Sequence, residues 1–160
     1  MTIFATGCTH FDHFGIMRMT GRPFNSAEEL NETLIDNWNK TVTSNDTVIH
    51  VGDFVFHTDP KPFIKRLKGK IVLLRGNHDA KNWGEDYLEI DAVGRRWIMM
   101  HYPIEEWNGW FHGTLHLHCH THKKELVSGV RRFNVGVDAT SLTPISLDEL
   151  ALHPNANHIR

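Results

Sequence analysis

Hydrophobic and polar positions fall into two regimes along the chain. In the first half, short β-rich runs alternate with stretches of helical periodicity. Thr2 to Gly7 reads as a strand, with β-branched and aromatic residues ahead of a glycine break. A polar loop from Cys8 to His13 follows, and 17–25, punctuated by Gly21 and Pro23, also reads as loop. Ser26 and Glu29 then form a capping box, and Leu30, Leu34 and Trp38 recur every four residues on one helical face. Beyond a Ser44-Asn45-Asp46 turn, Thr47 to Val51 is a second strand that runs into Gly52-Asp53-Phe54. Asp59 as N-cap and Pro60 at the first helical position predict another helix, with Phe63, Ile64 and Leu67 inward and Gly69 as its stop. Lys70 to Leu74 is the third strand. It leads into Arg75-Gly76-Asn77-His78-Asp79.

The second half is richer in strands. Tyr87 to Ile90 and Arg96 to Met100 pair across an Asp91-Ala92-Val93-Gly94 turn, and Leu115 to His118 and Arg131 to Val135 are two further strands. Ser146 and Glu149 cap a short C-terminal helix through Leu150. A βαβ half packed on a hairpin-rich half predicts an α/β fold: a four-layer αββα sandwich of two packed β-sheets flanked by helices. No repeat or linker interrupts the pattern, so the expectation is one domain over residues 1–160.

Composition narrows the function classes. A formal net charge of −2 gives no basic footprint, which argues against stable binding of a nucleic-acid duplex but leaves small phosphorylated substrates open. The apolar run Ile3 to Ala5 is too short for a signal-peptide core and nothing approaches a membrane span, so the expected location is cytoplasmic. Two cysteines cannot make a secreted-type disulfide framework. Thirteen histidines are many for a chain of 160 residues, and four of them, His116, His118, His120 and His122, alternate in one segment.

The chemistry-bearing residues cluster where predicted strands end. They are Cys8 and His10, Asp53, Asn77 with His78 and Asp79, His101, and His120 with His122. The Asp53 carboxylate, one amide, several imidazoles and a thiol make a ligand set for two transition-metal ions, too poor in oxygen for calcium or magnesium alone. Histidines two apart on an extended segment point to the same side, so His120 and His122 reach one pocket. His116 and His118 share that face but lie further back, where a structural role fits. His13 and Arg22 fall in loops that border the pocket, as candidates to hold a phosphate oxygen. Trp107 and Trp110 either stack a base or pack within their loop.

In this order and spacing, Cys8-Thr9-His10, Gly52-Asp53, Gly76-Asn77-His78-Asp79, His101 and His120-Thr121-His122 resemble the five motifs of the calcineurin-like metallophosphoesterases. Flanking stretches such as Arg22-Pro23-Phe24, His101-Tyr102-Pro103 and Asn134-Val135-Gly136-Val137-Asp138 are similar to small bacterial and phage members. The resemblance implies a hydrolase acting on small phosphodiesters or phosphomonoesters, nucleotide-type or cyclic nucleotide substrates among them. Attack would come from hydroxide activated at a dinuclear site holding two divalent ions drawn from manganese, iron, zinc or nickel. It further implies that Asp53 bridges the two ions. Position 8, His10 and His122 would complete the first site, and Asn77, His101 and His120 the second. His78 would assist the leaving group, with Asp79 orienting it.

Two positions depart from the family pattern. Cys8 stands where the family has aspartate, and a thiolate is a softer donor that favours zinc or iron over manganese. Cys119 stands where glycine is usual before the paired histidines. It reads either as a small buried residue or as a partner that could join Cys8 in a disulfide disabling the first site. Cys8 also feeds the rival reading, a non-catalytic protein-binding module that keeps the fold and a weakened metal site.

Overall fold

A computed structural model of the chain describes residues 1–82 and 84–158. The first sheet is built from β1 (Ile3–Thr6), β2 (Thr47–His50) and β3 (Lys70–Leu73), which run parallel in the order β3-β2-β1. Their side chains alternate between two environments, as the pleat requires. Phe4, Val48, Ile71 and Leu73 turn toward the helices. Ala5, Ile49, Val51 and Val72 turn toward the second sheet.

Helix α1 (Phe14–Thr20) precedes α2 (Ala27–Thr41), which carries the chain from β1 back to β2. Ser26 caps α2 as expected, its Oγ accepting the Glu29 N–H at 3.0 Å. Glu29 reaches past it to the Asn25 N–H at 2.9 Å. The predicted face of Leu30, Leu34 and Trp38 is buried, and Ile35 joins it. Helix α1 was not expected, since its second half, 17–20, falls in the stretch read as loop. His13 makes no side-chain cap, so the N-terminal signal is missing, while Gly21 (φ 71°) marks the end of a helix whose Ile16 and Met17 are buried. The helix before β3, α3 (Lys61–Ile64), is a single turn, with the Asp59 carboxylate accepting the Lys61 N–H.

The second sheet has the order β4-β5-β6-β8-β7, formed by β4 (Tyr87–Ala92), β5 (Arg95–Met100), β6 (Leu115–His118), β7 (Val127–Gly129) and β8 (Arg132–Asn134). β4 and β5 extend beyond their predicted ends because the turn is only Val93-Gly94, both with positive φ, the two-residue form that matches strand twist. β9 (Ile145–Ser146) adds antiparallel to β1 and leads directly into α4 (Leu147–Leu152), capped by Ser146 Oγ.

Trp97, Met99, Leu115, Leu117, Phe133 and Val135 fill the space between the sheets, together with Leu147 and Leu150 of α4. The architecture is therefore two mixed sheets packed face to face and flanked by helices. The outer face of the second sheet carries Ile98, His116 and His118, and the loop around Trp107 and Trp110 covers Ile98. Those tryptophans pack: Trp107 Nε1–H donates to the Thr114 carbonyl at 3.1 Å, and the Arg131 guanidinium stacks over Trp110. Among the described residues no helix is long and apolar enough to cross a membrane.

Candidate metal centre

The C-terminal ends of β1, β2, β3, β5 and β6 meet at one place, and the chain leaves them through left-handed turns. Cys8 (φ 51°), His10 (51°), Asp53 (55°), His120 (59°) and His122 (52°) all occupy this region, which non-glycine residues rarely adopt. The loops are laced together by backbone bonds, Cys8 N–H to Gly52 carbonyl at 2.9 Å and His10 N–H to Asp53 carbonyl at 3.0 Å. Gly76 is required by close approach, since a Cβ there would lie 2.2 Å from Asp53 Oδ1. His122 joins Cys8 and His10 while His120 joins Asp53 and His101, and both are set by left-handed residues rather than by strand alternation. His116 and His118 point to the opposite face of the sheet. There the His116 Nδ1–H donates to the Ile98 carbonyl, and His118 pairs with Ser128.

Asp53 lies at the centre. The His78 N–H donates to its Oδ1 at 2.9 Å, while Oδ2 is 3.5 Å from His10 Nε2 and 3.4 Å from His101 Nε2. One carboxylate oxygen thus stands between two groups of donors. On the first side, the ligand atoms of Cys8, His10 and His122 lie within 4.8 Å of one another. On the second, Asn77 Oδ1, His101 Nε2 and His120 Nδ1 form a triangle with edges of 2.9, 3.1 and 3.1 Å. Donors at right angles about 2.1 Å from one ion would stand roughly 3.0 Å apart, so this triangle suits a single cation. His10 Nε2 is buried and has no hydrogen-bond partner among the described residues, an orphan that a cation would satisfy.

The ring orientations suit ligation. His101 Nδ1–H donates to the Val51 carbonyl at 3.1 Å, which leaves the lone pair on Nε2. His122 Nδ1–H donates to Asp138 Oδ2 at 2.9 Å. Burial lowers His10 to a pKa of about 2 against the pull of Asp53, and burial also lowers His120. For Asp53, burial works to raise the pKa, but His101, the His78 N–H and His10 outweigh it and the value falls below the ordinary range. Neutral imidazoles around a carboxylate offer lone pairs without a competing proton at neutral pH.

Asp79 and Arg22 engage groups of the protein itself. For Asp79 these are three backbone N–H groups. Its buried carboxylate accepts the N–H groups of Gly76 (2.8 Å), Asp53 (2.6 Å) and Phe54 (3.0 Å), so it holds the two ligand loops together. Burial raises its pKa against those three bonds. Arg22 is likewise engaged within the protein. It is buried, donates twice to Asp138, and donates to the carbonyls of Cys8 and Thr9. His13 does border the centre, stacked on Phe56 with centroids 3.6 Å apart and its Nδ1 3.4 Å from His10 Nδ1. The His78 ring lies 5.4 Å from the His10 ring. His78 and Asn77 also line a cleft of about 560 Å³ with His57, Lys61, Lys81 and Asn82.

Asp138 is the functional residue that motif reading passed over, although it closes the stretch Asn134 to Asp138. Burial works to raise its pKa, but Arg22 and His122 hold it down at about 2. Both cysteines are free and buried. Cys8 Sγ accepts the His120 N–H at 3.1 Å.

The sequence pattern of the calcineurin-like phosphoesterases matches residues 1–146. The chain belongs to the calcineurin-like phosphoesterase family. An uncharacterized protein of Methanocaldococcus jannaschii, MJ1445, is 33% identical over 156 residues, covering 91% of this chain and 87% of its own length. Among solved structures, the Aquifex aeolicus protein of unknown function AQ665 superimposes with a TM-score of 0.73 at 22% identity, over 93% of this phosphoesterase and 97% of the other chain. A novel archaeal phosphodiesterase shares the fold with a TM-score of 0.52 at 19% identity, over 85% and 82% of the two chains. Membership makes this chain a metal-dependent phosphoesterase by family, with divalent metal ions as the implied cofactor.

Proposed function

We propose that this phosphoesterase hydrolyses small phosphodiesters or phosphomonoesters at two divalent transition-metal ions. Cys8, His10, Asp53 and His122 would hold the first ion, and Asp53, Asn77, His101 and His120 the second. The observation that carries this reading is the position of Asp53 Oδ2 between the two groups of donors. The orphaned His10 Nε2 and the Asn77-His101-His120 triangle fit the same arrangement.

Bound ions would supply Lewis acidity toward a phosphoryl oxygen and a nucleophile at neutral pH. The protein's own groups do the rest. Asp53, fixed through Oδ1 by the His78 N–H, offsets positive charge at the centre of the site. His78 lines the cleft, where its imidazole would pass a proton to the leaving-group oxygen. Lys61 and Lys81 offer ammonium groups to a phosphorylated small molecule in that cleft, whose lining also holds Asp59 and Asp79. Its volume of about 560 Å³ lies within the usual range for small-molecule sites, roughly 300–1,000 Å³. The fold shared with an archaeal phosphodiesterase adds weight to diesters.

The test is hydrolysis of an aryl phosphodiester and an aryl phosphomonoester across manganese, iron, zinc and nickel, for the parent, Cys8→Asp and Asp53→Asn. Metal-dependent turnover is expected in the parent, with preference moving toward manganese in Cys8→Asp and activity abolished in Asp53→Asn. Parent and Cys8→Asp proteins inert with every metal would refute the proposal.

A further inference from the structure

The two cysteines lie over 100 positions apart in sequence, yet they come together beneath the centre just described. Cys119 Sγ is 3.3 Å from His101 Nδ1, and the ligand atoms of Cys8, Cys119 and His101 all fall within 4.8 Å of one another. This group lies deeper than either half of the centre, since Cys8, His101 and Cys119 are each no more than 1% exposed. It also uses the other nitrogen of the His101 ring, the one turned away from Asn77 and His120. Gly7 makes room for the sulfur: a Cβ at that position would lie 2.7 Å from Cys119 Sγ.

We propose that Cys8 Sγ, Cys119 Sγ and His101 Nδ1 form a second kind of metal site, a buried two-thiolate, one-imidazole site for a soft divalent cation, with zinc the best match. The spacing fits. On a tetrahedral zinc with bonds of about 2.3 Å to sulfur and 2.0–2.1 Å to nitrogen, neighbouring ligand atoms stand roughly 3.5–3.8 Å apart. The donors need only small side-chain shifts to reach that geometry. The Val51 carbonyl oxygen, 3.4 Å from Cys119 Sγ and 3.1 Å from His101 Nδ1, is placed as a fourth ligand.

Charge and chemistry favour zinc. Binding expels the two thiol protons, and two thiolates on one divalent ion make a neutral assembly, the form a buried site accommodates. Thiolate sulfur selects zinc over manganese or magnesium. The His120 N–H, already donating to Cys8 Sγ at 3.1 Å, points at the sulfur that acquires charge.

This site shares Cys8 with the first half of the proposed centre, and ligation at Nδ1 moves the His101 proton to Nε2, which removes the lone pair the second half needs. Loading it therefore competes with the arrangement that hydrolysis requires. The inference does not depend on the phosphoesterase reading, because it concerns sulfur ligation and is measured without substrate.

Cobalt(II) as a spectroscopic substitute for zinc tests it under reducing conditions. One equivalent is added to the metal-free parent, to Cys119→Ser, to Cys119→Gly and to Cys8→Asp. The thiolate-to-cobalt charge-transfer band and the sulfur coordination number from X-ray absorption are then read. The expected result is two sulfurs per ion in the parent and one in each variant, with zinc displacing cobalt from the parent. The glycine variant, which restores the family residue at 119, guards against misfolding of the serine form. One sulfur per ion in the parent, or a parent-like spectrum in the Cys119 variants, overturns the proposal, and so does a parent that binds no cobalt. None of these outcomes bears on hydrolysis, which the Asp53→Asn comparison decides separately.

Discussion

Removing the Arg22 guanidinium tests how the centre is braced. Arg22 and Asp138 form a bidentate pair at 2.8 and 2.9 Å, with side chains only 2% and 5% exposed, so solvent screening takes little from it. Arg22→Met deletes this pair and both bonds to the Cys8 and Thr9 carbonyls, leaving a carboxylate buried with His122 alone. Breaking one side of a buried pair costs about 3–5 kcal/mol. At roughly 2–4 °C per kcal/mol for a chain of this size, the melting temperature should fall by roughly 6–20 °C. The double variant Arg22→Met/Asp138→Leu should recover most of that stability, because no charge is left uncompensated. It should nevertheless bind divalent ions about 10–100-fold more weakly, since His122 loses the carboxylate that orients its ring. Urea unfolding of the metal-free proteins and calorimetric ion titration separate the two effects. If Arg22→Met unfolds within about 1 kcal/mol of the parent, the bracing argument is wrong. If the double variant binds ions as tightly as the parent, Asp138 does not position His122.

Three further outcomes follow from the same geometry. Asp79→Asn should lower stability by on the order of 2–3 kcal/mol, since an amide cannot accept on both sides from Gly76, Asp53 and Phe54; a drop in turnover without any loss of stability would return Asp79 to the role of orienting His78. Burial lowers His116 from 6.5 to about 4, so its neutral form contributes stability that is complete above about pH 6.5 and lost as pH falls toward 4. That difference corresponds to on the order of 3 kcal/mol. His116→Gln should flatten the pH dependence of urea unfolding over that window, and an unchanged slope would count against this. Ser26→Ala should cost about 1 kcal/mol of stability through loss of the α2 cap, with ion affinity unchanged.

The parts of the fold legible in the sequence are those held by local signals. The Ser26 cap and the four-residue spacing of Leu30, Leu34 and Trp38 place α2, and the alternation of leucine and histidine from Leu115 to His118 places β6. β7 and β9, three and two residues long, have no period to read and exist because a neighbouring strand offers a partner. The candidate ligands were legible because each falls at or just past the end of a predicted strand. The roles of Asp79 and Arg22 were not, since both follow from which backbone groups the tertiary fold brings within reach. His116 and His118 looked like continuations of the His120-His122 pair only while the segment was taken as extended throughout.

The five left-handed residues at the centre carry a wider consequence. Each such conformation at a non-glycine residue costs about 1–2 kcal/mol, so Cys8, His10, Asp53, His120 and His122 together hold on the order of 5–10 kcal/mol of backbone strain. That is comparable with the whole net stability of a typical domain, about 5–15 kcal/mol. Thermostability and ligand chemistry therefore pull these five codons in opposite directions. A descendant relieved of its metals would drift toward glycine there and become sturdier as it did so.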